Sequence, residues 1–160
     1  MIINTITIIG SIMETNKDDN LDFLKLVVGK VDESREYKAL IYNAYYKFLS
    51  STNYIRNLRQ QDRCDALKKM MERVRKECNY AAYVDVENED LVYSFAIFND
   101  FGELFYVFTK MSFRDNGIAK KLINEELSHC KYFSAPFHNL TKRCKFLGHL
   151  TLKDNLKYEI

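Results

Sequence analysis

The sequence predicts an α+β domain with a mixed, mostly antiparallel sheet, a central meander and about four helices. Three observations predict this class. Apolar residues between positions 33 and 78 recur at helical spacing. From Tyr80 the apolar period falls to two in three successive runs. Helical and strand-like stretches then alternate, and strands that follow one another beside separate helices are typical of α+β domains.

Length and composition indicate one folded, cytoplasmic domain. The 160 residues with a hydrophobic fraction of 47% are enough to bury a core. A formal net charge of +2 argues against nucleic acid as a partner, because duplex binding usually requires a basic surface. The 4 cysteines form no Cys-x-x-Cys pair and only 3 histidines are present, which predicts reduced thiols and no metal site.

The apolar start of the chain, MIINTITIIGSIM, lacks a basic n-region and is too short to span a bilayer. Residues 1–20 are therefore expected to form an extra strand or an N-terminal extension, and residues 21–160 a single domain. No other stretch approaches the length of a transmembrane segment, so a membrane is not expected as a partner.

A strand and two helices are predicted for the first half. The run LDFLKLVVGKV (residues 21–31) alternates in hydropathy and predicts the strand. Asp32 or Ser34 can cap the helix that follows, ESREYKALIYNAYYKFLSS (33–51). The second helix, RQQDRCDALKKMMERVRKEC (59–78), has an apolar stripe opposite a basic face. We interpret that basic face as solvated surface.

The second half predicts three hairpin-connected strands, then a helix, a short strand, a short helix and a closing strand. The strands are YAAYVDVEN (80–88), LVYSFAIFN (91–99) and ELFYVFTKM (103–111), separated by ENED and DFG. The later elements lie in residues 113–130, 131–137, 138–147 and 149–160. Six residues are expected to be largely buried: Phe95, Ile97, Phe105, Val107, Ile118 and Leu122.

The turn SFRDNGIAKKLI (112–123) connects the last meander strand to a helix. Backbone N–H groups at a helix N-terminus are unpaired and carry partial positive charge. Gly117 allows close approach to this backbone, Ala119 keeps the next inward position small, and Arg114 adds a fork-shaped cationic donor. The turn therefore predicts a site for a phosphate or pyrophosphate, although a polar loop with a packing glycine would show the same pattern.

This Arg-x-x-Gly-x-Ala motif, together with the element order, resembles the acetyl-coenzyme A signature of the GNAT (Gcn5-related N-acetyltransferase) superfamily. The likeness covers roughly residues 21–158 and is most similar to small GNAT-like proteins of tailed bacteriophages. It implies a V-shaped splay between strands 4 and 5, where pantetheine pairs with the chain. The implied pantetheine contacts are Phe108, Thr109 and Lys110. The implied pyrophosphate contacts are Arg114, Asp115, Asn116, Gly117, Ile118, Ala119 and Lys120.

Other matches to the family are partial. Asn139 corresponds to an Asn that often opens the helix after the fifth strand and adds to the cofactor site, but the family's proton-donating Tyr is replaced by Phe146. Cys144, His149 and Tyr132 could substitute, and each is more simply structural. Glu103 resembles the carboxylate base of the histone-acetylating branch, although a solvated turn carboxylate is the simpler interpretation.

The leading interpretation is an acetyl-coenzyme A-dependent N-acyltransferase that acts on a small-molecule or protein amine, in the host cytoplasm if phage-encoded. An alternative is a catalytically weak or inactive phage accessory or virion-associated protein that keeps the fold to bind a partner. A nucleic-acid-modifying acyltransferase is a third reading, which the near-neutral charge argues against. The sequence identifies neither the acceptor nor the oligomeric state.

Overall fold

The computed structural model describes residues 21–134, together with residues 136, 147 and 149–152. Within them, six strands form one mixed sheet in chain order, with helices on both faces. The strands are β1 (Leu24–Lys30), β2 (Cys78–Asp85), β3 (Val92–Asn99), β4 (Glu103–Thr109), β5 (Tyr132–Phe133) and β6 (Thr151–Leu152). The helices are α1 (Lys38–Ser51), α2 (Asn53–Arg56), α3 (Gln60–Glu77) and α4 (Ile118–Lys121). The predicted α+β class is confirmed.

The sheet changes character at β4. Strands β1 to β4 pair antiparallel, so that β2, β3 and β4 form the predicted meander. Strands β4, β5 and β6 run parallel. In the described part of the chain, β4 pairs with β5 only through Glu103–Tyr132 and Leu104–Phe133. Among the described residues this pairing ends at Leu104, apart from a hydrogen bond from Ser134 Oγ to the Phe105 carbonyl at 3.4 Å, which is consistent with the predicted splay.

The helices before the meander begin later than the apolar spacing predicts, and there is one more of them. Ser34 Oγ accepts a hydrogen bond from the Tyr37 N–H at 3.0 Å in the turn that leads into α1, whereas Asp32 pairs with Lys38 at 2.6 Å. The short helix α2 follows Thr52, whose hydroxyl accepts from the Ile55 N–H at 3.4 Å. A helix of four residues is too short to show an apolar period, so the pattern does not reveal it.

Two apolar cores lie on opposite faces of the sheet. One core packs the sheet against α1 and α3, and Tyr45, Ile41 and Phe95 are completely buried in it. The other packs the sheet against α4 and the π-helical turn Leu122–Glu126 that continues it. Five of the six residues expected in the core are buried: Phe95, Ile97, Phe105, Ile118 and Leu122. Val107 is only half-buried, so its predicted burial is too high.

A β-bulge in β4 explains the difference at Val107. Ile97 pairs with Tyr106, whereas the next residue of β3, Phe98, pairs with Leu104. Phe105 is therefore an extra residue on β4, and a bulge of this kind changes the face to which the following side chains point. Phe105 packs in the α1–α3 core, while Val107 packs against the α4 core. The alternating pattern predicts the same face for both, and that prediction is wrong.

The helix after the turn is less regular than predicted. Four α-helical residues lead into Leu122–Glu126, where the Leu127 N–H donates to the Leu122 carbonyl at 3.2 Å, a five-residue spacing. Its predicted inward residues are nevertheless all buried: Ile118, Leu122, Ile123 and Leu127.

Three further expectations concern the cysteines, membrane-spanning helices and the parts of the chain outside the described residues. Among the described cysteines, Cys64 is exposed, Cys78 and Cys130 are buried, and all three are free. No helix in the described ranges combines the length and the apolar character that crossing a membrane requires. Residues 1–20 and nearly all of the helix predicted at 138–147 lie outside the described residues.

Candidate functional site

The turn between β4 and α4 has the conformation that an anion site needs. Asp115 (φ 65°) and Gly117 (φ 75°) both adopt the left-handed region, which Gly occupies freely and Asp tolerates. Gly117 is left-handed and Ile118 begins the right-handed helix, an alternation that makes consecutive N–H groups converge. A Cβ placed on Gly117 would meet no atom within 4 Å. The glycine thus serves the backbone turn and leaves the space in front of it open.

The first amides of α4 are available to a ligand. The first hydrogen bond of the helix runs from the Lys121 N–H to the Gly117 carbonyl at 2.8 Å. The N–H groups of Ile118, Ala119 and Lys120 precede this bond and have no acceptor within the helix. No side chain in the described part of the chain caps this end. These donors therefore face the open side of the turn.

A groove of about 780 Å³ opens directly in front of these amides. This volume lies in the range of small-molecule sites, roughly 300–1,000 Å³. The far half of β4 forms its floor and the turn forms one end. The residues predicted to bind a cofactor that line it are Phe108, Thr109, Arg114, Asp115, Gly117, Ile118, Ala119 and Lys120. Lys110 and Asn116 flank the groove without lining it, and Asn139 lies outside the described residues.

Helix α1 supplies a wall that the sequence does not reveal. Ala44, Lys47, Phe48 and Ser51 line the groove across from the turn. They share one side of α1, because their spacings of three and four residues follow the helical period. The signal available in the sequence was an aromatic-rich helix, which is equally typical of core packing. Only the position of α1 over β4 distinguishes the two roles.

Tyr106 connects the α1 wall to the floor. Its ring stacks on Phe48 with 4.6 Å between centroids and contacts Phe95 edge-on at 6.0 Å. The tyrosine sits at the β4 bulge, is half-buried and lines the groove. Like the residues of the α1 wall, Tyr106 is a groove residue that the sequence pattern does not single out.

The groove carries more positive than negative charge. Lys47 and Lys120 are exposed at its sides, and Arg114 lies at the turn. Arg114 Nε donates to the Thr109 carbonyl at 3.2 Å, so its side chain folds back across the end of β4. Among the described residues, Asp115 is the acidic residue of the lining. In that part of the chain, three cations against one carboxylate favour an anionic ligand.

Glu103 lies apart from the groove. It begins β4, whereas the turn follows the other end of that strand, roughly 20 Å away at about 3.3 Å per residue. The expectation of a solvated carboxylate is wrong, because Glu103 is completely buried. Arg73 Nη2 and Asn99 Nδ2 donate to its Oε2 at 3.1 and 3.2 Å. This arrangement is that of a structural ion pair and gives no access to a substrate in the groove.

The suggested substitutes for the missing tyrosine do not meet at the groove. Tyr132 and His149 are exposed and do not line it. Phe146 and Cys144 lie outside the described residues, so their predicted positions near the site stay predictions.

Fold and site together define an α+β domain that has a cationic groove along the second half of β4, closed at one end by helix amides. Comparisons with protein-family models, with curated proteins and with solved structures find no match for this chain. Its function is therefore argued from the groove.

Proposed function

We propose that this chain is an N-acyltransferase that takes acetyl-coenzyme A as co-substrate and transfers the acetyl group to an amine. The observation that carries the proposal is that the turn amides and the part of β4 that has no β5 partner among the described residues open into one groove. Acetyl-coenzyme A combines a pyrophosphate with an extended arm that contains two amides. Those two chemical features correspond to the two parts of the groove.

The turn supports the pyrophosphate end of such a ligand. The N–H groups of Ile118 to Lys120 offer converging donors, and Arg114 and Lys120 add charge. Gly117 leaves room for the phosphate to reach the backbone. We expect phosphate recognition to supply much of the affinity, because hydrogen bonds between charged groups are stronger than neutral ones.

The free edge of β4 supports the pantetheine end. From Tyr106 to Thr109 the strand has no partner on the β5 side within the described residues, whereas the Phe105 carbonyl still accepts a hydrogen bond from Ser134 Oγ at 3.4 Å. Four residues of strand offer about 13 Å of backbone. An extended arm with amides can pair with such an edge as an added strand would. This leaves the thioester between the β4 bulge and helix α1.

The acyl transfer itself asks for positioning of the amine, a donor to the oxyanion and a route for protons. Backbone N–H groups of β4 that have no strand partner are suited to the oxyanion. Water in the open groove is the base that we favour for the amine, because Glu103 is buried at the other end of the strand. The acceptor, a small molecule or a protein side chain, would enter between α1 and β4.

Calorimetry with acetyl-coenzyme A tests the cofactor site, and release of free thiol in the presence of amines tests the chemistry. We expect binding in the micromolar range and thiol release that depends on the amine. Absence of both heat and thermal shift at millimolar acetyl-coenzyme A would contradict the proposal. Binding without thiol release across a broad panel of amines would instead support the non-catalytic binding protein.

A further inference from the structure

The position of Tyr106 brings a hydroxyl-bearing ring to the part of the groove where the proposed thioester lies. The bulge in β4 turns the strand at this residue, so that its neighbours Phe105 and Val107 point into opposite cores. Tyr106 packs against both cores. It is thereby placed on the groove floor, between the free edge of β4 and the α1 wall.

Aromatic neighbours hold the ring of Tyr106 in place. Phe48 stacks on it at 4.6 Å, and Tyr45 and Phe95 contact it at 5.9 and 6.0 Å between centroids. A ring enclosed on these sides keeps one orientation, which a group that acts on a bound substrate needs. The lysines of the groove, Lys47 and Lys120, are exposed and not fixed in this way.

The electrostatic surroundings keep this hydroxyl protonated. Burial raises the pKa of Tyr106 above its ordinary value of 10.0, and the nearby charge of Arg114 lowers it in part. The phenol is therefore neutral at physiological pH. Arg114 is close enough to stabilise the tyrosinate that would form if the proton were given away.

We propose that Tyr106 is the proton donor to the leaving thiolate, an inference that rests on the proposed acyl transfer. The amine nitrogen forms a bond to the thioester carbonyl carbon, and the carbon–sulfur bond breaks. The thiolate takes the proton from Tyr106 Oη. The amine gives one proton to water, and the tyrosinate regains one from solvent, so that protons balance over the cycle.

Other groups of the described groove are less suited to this role. The hydroxyls of Ser51 and Thr109 are far weaker acids than a phenol. Lys47 and Lys120 carry acidic protons but stand at the exposed sides of the groove. Phe146, at the family's usual position, has no proton to donate.

The test compares the parent with Tyr106→Phe, which keeps the ring and removes only the hydroxyl. Thiol release from acetyl-coenzyme A is measured with spermidine and with a lysine-containing peptide as acceptors. We expect an unchanged thermal midpoint, affinity for acetyl-coenzyme A within about twofold, and kcat lower by roughly 10²–10⁴-fold. Tyr46→Phe is the matched control, because it also removes one phenol hydroxyl but at an exposed position of α1 that does not line the groove, and it should keep kcat within a few-fold.

A second acetyl donor distinguishes the loss of proton transfer from a structural effect of the Tyr106→Phe substitution. With an aryl thioacetate the thiolate leaves without a proton, so parent and Tyr106→Phe should react at equal rates. Equal kcat for the two proteins with acetyl-coenzyme A would overturn the role of Tyr106 and leave the proposed function standing. An equal loss of rate with both donors would also overturn it, since the hydroxyl would then act in some way other than by protonating the thiolate. A parent that binds acetyl-coenzyme A but acetylates neither acceptor overturns both proposals.

Discussion

Arg73 Nη2 lies 3.1 Å from Glu103 Oε2, which joins the middle of α3 to the first residue of β4. The Glu103 side chain is 0% exposed and that of Arg73 is 23% exposed. The guanidinium also lies over the Phe105 ring, 4.9 Å from its centroid. The pair is thus built into the core between α3 and the sheet.

Removing the Arg73 side chain should lower the free energy of unfolding substantially. Arg73→Ala removes the guanidinium that pairs with the buried Glu103 carboxylate, and loss of one partner of a buried ion pair typically costs about 3–5 kcal/mol. Urea denaturation measures the change in free energy of unfolding. The matched control is Arg75→Ala on the same helix, because Arg75 pairs with Glu72 at the surface and its removal should change the free energy of unfolding far less. Equal effects of the two variants would contradict the structural role of the pair.

The same pair gives an expectation for Glu103→Gln. The amide keeps the size of the side chain and one acceptor, but it cannot pair with the Arg73 charge. Stability should fall, while the rate of acetyl transfer per folded molecule should stay within a few-fold. A rate loss of 10²-fold or more at unchanged stability would restore Glu103 as the general base.

Gly117 offers an isosteric pair of variants for the phosphate site. Asn and Asp both tolerate the left-handed conformation of residue 117, so either should keep the turn. Gly117→Asn narrows the approach to the amides, and Gly117→Asp adds a negative charge at the same volume. We expect acetyl-coenzyme A to bind about tenfold or more weakly to the Asp variant than to the Asn variant. Calorimetry at low salt measures the difference, and equal affinities would argue against an anion at this turn.

We expect Arg114 to bind the phosphates of acetyl-coenzyme A and not its pantetheine arm. Arg114→Ala removes a charged donor to the ligand, an interaction of about 1.5–3 kcal/mol, or roughly 10–100-fold in Kd. Pantetheine lacks the pyrophosphate, so its affinity should not change. Measuring both ligands on the parent and the variant separates a lost phosphate contact from a distorted groove. A parallel loss for pantetheine would indicate distortion, since Arg114 also bonds the Thr109 carbonyl.

The stability of the folded protein should fall in acid, partly because the Asp85 carboxylate becomes protonated. Tyr93 Oη donates to its carboxylate at 2.6 Å, and the N–H groups of Glu87 and Asn88 donate at 2.9 and 3.0 Å. The Tyr93 bond, followed by these backbone bonds, lowers the pKa of Asp85 from its usual 3.8. A carboxylate with a lowered folded-state pKa stabilises above the unfolded-state value, and this contribution is lost as pH falls through the folded-state pKa.

Thermal unfolding between pH 7 and pH 2 measures this contribution. The midpoint difference between the parent and Asp85→Asn should be constant above about pH 5 and shrink below the usual pKa of 3.8. Tyr93→Phe removes the largest cause of the lowered pKa and should weaken that pH dependence. A difference that does not change with pH would show that the charge of Asp85 is not what stabilises the turn.

The meander, the apolar stripes of α1 and α3 and the turn at Gly117 follow from local spacing, and the sequence predicts them. The bulge does not, because the run from Glu103 to Thr109 has the same alternation with or without an extra residue. Glu103 is misjudged for another reason: its partner Arg73 lies thirty residues earlier, and no local pattern links them. The α1 wall is missed because a groove-lining aromatic and a core aromatic have the same spacing.

The short contact between β4 and β5 has a consequence for how the molecule opens. In the described part of the chain, the parallel seam is tied by Glu103–Tyr132 and Leu104–Phe133, while β1 and β2 pair along their whole length. Local opening follows the weakest pairing first. Amide hydrogens of Tyr132 and Phe133 should therefore exchange with solvent well before those of β2 and β3. The groove can widen along this seam while the meander stays folded.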